Sequence, residues 1–192
     1  MVTYTLDTNC IIDLEEERRY SQAVKEIISA HQAGTISVSV VAVSASERQP
    51  GDRTMANYEE FVERLNAVGL GELEQLNGIM TYGFSFFGKG YYGGTEEMIE
   101  LDRRIHNTLF PRIDYGLNDF ISRQPVRTEE EEKKLHWKWR NAFCDRQMYW
   151  AHAHHERDIF VSGDKNFSEL RGMDFYPHGR ILTPEMAARE LG

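Results

Sequence analysis

The stretch "TYTLDTNCII", residues 3–12, brings an alternating run of β-branched and aromatic residues to an acid, Asp7, and follows it at once with Thr8 and Asn9. Val2 to Leu6 reads as a strand, and "TNCIIDLEEE" beyond Asp7 can open a helix. An acid in that position, taken alone, is a cap or a turn residue. It is not alone. "DIFVSGDKNF", residues 158–167, is a second short apolar run that delivers an acid, Asp164, just past its C-terminal end.

Working outward, residues 20–32 space Ala23, Ile27, Ile28 and Ala30 as a helix does, until Gly34 breaks the pattern. "TISVSVVAV", 35–43, reads as the next strand, and "SASERQ", 44–49, is expected to open a helix with Ser44 as its cap and Glu47 in its first turn. Helical patterns return at about 54–70 and 95–109, and residues 128–157 contain neither Gly nor Pro, so one long helix or two abutting ones are expected there. "GRILTPEMAARELG" ends the chain on a short strand and a helix with Thr183 as cap and Pro184 first. Strands alternating with helices predict an α/β fold around a parallel sheet. Ligands of such sheets bind beyond the C-terminal strand ends, where both Asp7 and Asp164 fall.

At 192 residues the chain suits one domain, residues 1–192, with a largely helical insertion at about 52–127. Its hydrophobic share of 41% fits a folded chain, and its longest apolar run, 36–43, is far too short to cross a membrane, so no membrane partner is expected. Two cysteines, Cys10 and Cys144, cannot build a disulfide framework, which suits a cytoplasmic setting. A net charge of −9 argues against an anionic partner such as nucleic acid, unless acids are gathered at a metal site. Two divalent ions would bring the charge to about −5.

Four acids could share such a site: Asp7, Glu47, Asp145 within the long helix, and Asp164. All are expected at one edge of the sheet, and an all-oxygen set suits Mg²⁺ or Mn²⁺, one ion or two, better than zinc. Unrelieved, four carboxylates repel one another and raise some of their pKa values. A divalent ion relieves that repulsion, and can activate water and neutralise a phosphodiester in its transition state.

At these residues the chain resembles the PIN-domain nucleases. "LDTNCIIDL" looks like that family's opening motif, "SVVAVSASE" like its second-strand segment ending on Glu47, and "DRQMYWAHAHHERDIFVSGDKNF" like its last motif, with "ILTPEMAA" similar to its closing strand and helix. The resemblance spans roughly residues 1–50 and 140–192. It implies a three-layer α/β/α sandwich and a metal-dependent endoribonuclease, in many relatives the toxin paired with a small antitoxin protein, and often a homodimer. By matched position, Asp7, Glu47, Asp145 and Asp164 would hold the metal or orient its water, and Asn9 would support them by hydrogen bonding. Residue 162 is Ser where the family often has Thr, which keeps a hydroxyl.

Arg48, Arg146 and Lys165 each adjoin one of these acids and are candidates for substrate phosphate. Asp13 is read as a cap or a solvent-facing residue. His152, His154 and His155 lack the i, i+4 spacing of a helical zinc motif and are read as packing or solvated. The stretch "TYGFSFFGKGYYGG", 81–94, with six aromatics and five glycines, is read as a packed turn rather than a loop on which bases stack. Two other classes compete with the nuclease. A phosphatase using Asp7 as nucleophile needs a second acid two residues on, where Asn9 stands; a catalytically silent module would keep the fold and bind RNA or protein.

Overall fold

The computed structural model describes residues 1–49, 51, 53–125 and 128–191. At its centre lies strand β1 (Val2–Leu6), in which Tyr4, Thr5 and Leu6 are all buried because both faces of the sheet are covered. Helices α1 (Thr8–Glu15) and α2 (Ser21–Gln32) follow, then β2 (Ile36–Val41), α3 (Glu59–Ala67) and β3 (Glu74–Leu76). Two two-residue strands, β4 (Gly78–Ile79) and β5 (Gly90–Tyr91), pair with each other apart from the main sheet. Helices α4 (Glu96–Leu109), α5 (Leu117–Ser122) and α6 (Glu129–His154) lead to β6 (Ile159–Val161), β7 (Arg180–Leu182) and α7 (Pro184–Arg189).

The main sheet has the order β3-β2-β1-β6-β7, and every pair in it is parallel. From β1 the chain winds outward through β2 to β3, then crosses to the other side for β6 and β7. The reversal lies between β1 and β6, the point where such sheets open a crevice beyond their carboxyl ends. Two cores make it a three-layer α/β/α sandwich. Cys10, Ile11, Val24, Ile27, Phe61, Leu65 and Ala187 cover one face with α1, α2, α3 and α7. Ile105, Phe120, Phe143, Tyr149 and Trp150 cover the other with α4, α5 and α6.

Within 52–127, α3 packs in the first core and β3 is hydrogen-bonded to β2, so that part belongs to the sandwich itself. What stands outside the sheet starts at β4; positions 52 and 127 lie outside the described residues. No strand was expected at 74–76, because three residues reading Glu-Gln-Leu carry too little periodicity to separate from a loop. The long helix is one helix, opened by a capping box in which Thr128 and Glu131 satisfy each other's backbone N–H groups. No described helix is long and apolar enough to cross a membrane.

A buried polar network locks α4 onto α6. The Arg146 guanidinium pairs with Asp102 at 3.3 Å, Gln147 Nε2 donates to Asp102 Oδ1 at 2.7 Å, and the Tyr115 hydroxyl donates to Asp102 Oδ2 at 2.5 Å. Arg146 Nη1 also donates to the Tyr115 carbonyl at 3.2 Å and meets His106 Nδ1 at 3.1 Å. That last contact fits a neutral imidazole whose Nε2–H points to the Ile113 carbonyl, 2.6 Å away. Gln147 Oε1 accepts from the Ile79 N–H at 2.8 Å and so ties β4 to the same helix. Removing one partner leaves a buried charge uncompensated, so Asp102→Ala should destabilise the chain by about 3–5 kcal/mol. Urea unfolding at pH 7 measures it; a loss below about 1 kcal/mol would mean that Arg146 has found another partner.

Candidate functional site

The register of the sheet puts the carboxyl ends of three strands level: Leu6 lies beside Val40 on one side and Val161 on the other. The Asp7 N–H extends the ladder by donating to the Val161 carbonyl at 3.0 Å, so Asp7 stands one step beyond the sheet and is almost wholly buried. Ser162 Oγ donates to Asp7 Oδ2 at 2.6 Å, and Asn9 Nδ2 donates to the same oxygen at 3.1 Å; Oδ1 takes neither bond. Ser162 also accepts from the Asp164 N–H at 3.0 Å, so one hydroxyl links the ends of β1 and β6. Asp164 caps a short 3-10 helix, Lys165–Leu170, by accepting from the Asn166 N–H at 2.8 Å. Its local role and its placement near Asp7 coexist.

Beyond β2 the chain does not enter an α-helix as its sequence suggests. It makes a 3-10 turn, Ala42–Ser46, and leaves it extended at Glu47. Ser44 is therefore not a helix cap; its Oγ accepts the Thr8 hydroxyl at 2.6 Å and joins the ends of β1 and β2. Nor does a helix dipole act on Glu47. Asp145 reaches the same region from α6 on the other layer.

These acids act on one another electrostatically. Burial pushes Asp7 up to about 6, and the charge of Asp164 adds to the shift against the opposing bonds from Ser162 and Asn9. Burial drives Glu47 up to about 8, with Asp7 adding and Thr8 and Arg64 opposing. Asp145 is held well above the usual carboxylate range by burial first, then by Glu47, Asp7 and Asp164 in turn. Three of the acids thus raise Asp145 together, which puts it within electrostatic reach of each.

The three candidate phosphate contacts separate. Arg48 and Lys165 are exposed, whereas Arg146 is buried in the network with Asp102 and is not available as a surface contact. Asp13, read as a cap or solvent-facing residue, is buried on α1. His152 is buried with Nδ1 3.0 Å from the Thr5 hydroxyl, and His154 stacks on Trp150. Both cysteines are buried free thiols pushed well above their ordinary value by burial, which keeps them protonated. Of the aromatic stretch, Phe84 packs on Trp139 and Phe143 and Phe86 on Tyr58, while Tyr82 and Phe87 are exposed. Sequence reasoning missed Thr8 and Arg64. The first was legible as the hydroxyl directly after Asp7; the second lies on α3, far along the chain, and carried no signal.

Glu47, Arg48 and Arg64 line a cavity of about 560 Å³ together with Ile12, Glu15 and Arg18. The donor chemistry of the four acids is all hard oxygen, which suits Mg²⁺ or Mn²⁺. Among the described residues, however, no three Asp, Glu, His or Cys side chains stand close enough together to hold one ion directly. Mg²⁺ tolerates that arrangement, because it keeps several of its waters and is commonly held by one or two carboxylates. No protein-family model, no curated protein and no solved structure matches the chain.

The raised carboxyls make stability depend on pH in a definite direction. Asp7 keeps its proton to about 6 and Glu47 to about 8 in the fold, while the unfolded chain releases both near their ordinary values of 3.8 and 4.5. Their contribution is complete below those lower values and is lost as pH rises through the higher ones. In chelator, the Tm should therefore fall between about pH 5 and 8, and Glu47→Gln should flatten the upper part of that fall. Thermal scans across the range check it; parallel curves for the two proteins would remove Glu47 as a source.

Proposed function

We propose that the chain is a metal-dependent endoribonuclease of the PIN-domain type, hydrolysing phosphodiester bonds of RNA with Mg²⁺ or Mn²⁺. The observation that carries this reading is the gathering of Asp7, Glu47, Asp145 and Asp164 at the carboxyl edge of a parallel sheet, beside its topological switch point. Acids repel one another there with no covalent need to be together, and a divalent cation is the partner that relieves them. When bound, such an ion lowers the pKa of a water and neutralises phosphoryl charge.

The chain's own residues do the positioning. Ser162 and Asn9 both hold Oδ2 of Asp7, fixing that carboxylate and leaving Oδ1 for the ion or its water. Ser162 couples this to the backbone of Asp164, and the bond from Thr8 to Ser44 keeps the turn before Glu47 against the end of β1. Asp145 comes from a helix whose rotation is set by the Asp102 and Arg146 network. Asn9 also weakens the phosphatase alternative. It donates to Asp7 from the position where that chemistry needs an acid.

Toxicity restrained by an antitoxin protein, a homodimer and a cytoplasmic location belong to the same proposal by resemblance. A second reading, a catalytically silent RNA- or protein-binding module, is favoured by one observation: the carboxylates do not already stand at the spacing of a closed ion site. Incubating a mixed single-stranded RNA pool with the purified protein in Mn²⁺, in Mg²⁺ and in chelator decides between the two. The nuclease reading expects products only with metal, loss of cleavage in Asp164→Asn and Asp7→Asn, and about a 10–100-fold loss in Ser162→Ala, which removes only the positioning bond. A folded protein that binds RNA and yields no product with either metal would leave the binding module.

A further inference from the structure

Glu47 is followed by Arg48, and from Arg48 a line of concave surface continues away from the acids. The Arg48 guanidinium lies over the Trp137 ring, 5.6 Å from its centroid, and Arg140 lies over the same ring at 5.8 Å. Arg140 is itself fixed, since its Nε donates to the Ser46 carbonyl at 2.6 Å and its guanidinium rests on Phe84 at 5.0 Å. Arg48 walls both the cavity beside Glu47 and a second one of about 550 Å³ that it shares with Lys134, Trp137 and Lys138. Trp137 in turn walls a third, of about 490 Å³, with Phe84, His136 and Arg140. Three hollows thus run in series from Glu47, joined by Arg48 and then by Trp137.

The charge of the middle hollow is opposite to that of the chain, whereas the hollows on either side match their cations with acids, Glu15, Glu16 and Glu47 in the first and Glu129 and Glu132 in the third. Arg48, Lys133, Lys134 and Lys138 face the middle hollow against one acid, Glu130, which is already paired with Lys134 at 2.7 Å. In a protein of net charge −9 that concentration is local. Trp137 is partly exposed, whereas Trp139 and Trp150 are buried in the core. Its indole Nε1 is buried and has no acceptor among the described residues, so what Trp137 offers a ligand is its ring. Cations tracking a backbone beside an aromatic face are the parts that hold single-stranded nucleic acid without regard to sequence.

Resting on the nuclease reading, we propose that this groove seats single-stranded RNA to one side of the cleaved phosphate, with an unpaired base stacked on Trp137. Lys134, Lys138 and Arg140 meet the neighbouring phosphates. An acidic protein segment would find the same cations but no use for a stacking face between them, and no reason for the line to begin at Glu47.

The test is fluorescence anisotropy with a labelled, mixed-sequence single-stranded RNA in chelator at low salt, so that binding is read without cleavage. Trp137→Ala should weaken binding at least about fivefold, and Trp137→Phe, which keeps a stacking ring, should restore most of it. Binding of a duplex of the same sequence should be unchanged by Trp137→Ala. Changing the exposed Lys134 and Lys138 together to Ala should make the fall of log affinity with log salt shallower, by about 0.7 for each phosphate no longer neutralised. Failure of the wild type to bind the single strand, or equal binding by a folded Trp137→Ala, would overturn the groove. So would Trp137-dependent binding of a polyglutamate peptide in place of RNA. The two readings fail separately: Trp137-dependent binding by a protein that never cleaves removes the nuclease and keeps the groove, and cleavage with Trp137 irrelevant removes only the groove.

Discussion

The parallel pairing of β1 with β2 on one side and β6 on the other is the constraint on which the rest depends. Because Leu6 is level with both Val40 and Val161, residues that follow the three strands emerge at a common edge. Asp7 joins that edge through its own backbone N–H, and Ser162 bridges to it from the next strand. A slip of one residue in β1 would turn Tyr4 and Leu6 out of their core and Thr5 out of its bond with His152, so burial on both faces holds the register.

Gathering acids at such an edge is costly to the fold. Asp7, Glu47 and Asp145 are each shifted upward chiefly by burial, with mutual repulsion added. Hydrogen bonds from Ser162 and Asn9 offset only part of the cost at Asp7. Strain of this kind, kept at one site by well-packed surroundings, is characteristic of functional centres, although structural ion-pair networks can also perturb pKa values. Here the two arrangements are distinct. Asp102 and Arg146 form a structural ion pair that Gln147 and Tyr115 supplement, while Asp145 at the sheet edge meets only the like charges of Glu47, Asp7 and Asp164.

Helix α6 serves both arrangements at once. Adjacent residues on a helix point about 100° apart, so Asp145 and Arg146 look toward different layers of neighbours. Asp145 joins the acids, Arg146 anchors α4, and Gln147 reaches β4. Two turns earlier, Trp137 comes into line with Arg48 and Arg140. The segment outside the main sheet is thereby attached to the same helix that carries a site residue.

The sequence by itself determined the strands β1, β2, β6 and β7, helical structure over 128–157, helix α7 with its cap Thr183, and the placement of Asp7 and Asp164 past strand ends. Those features are local: alternation, capping residues and helix formers act within a few positions of one another. Tertiary structure alone decided that residues 74–76 join the sheet, since three residues pair only where β2 offers an edge. It also decided that the chain leaves β2 by a 3-10 turn, which the bond between Thr8 and Ser44 holds against the end of β1. The side on which Arg146 points was equally beyond the sequence. Periodicity says that two neighbours face different ways, and only packing says what each one meets.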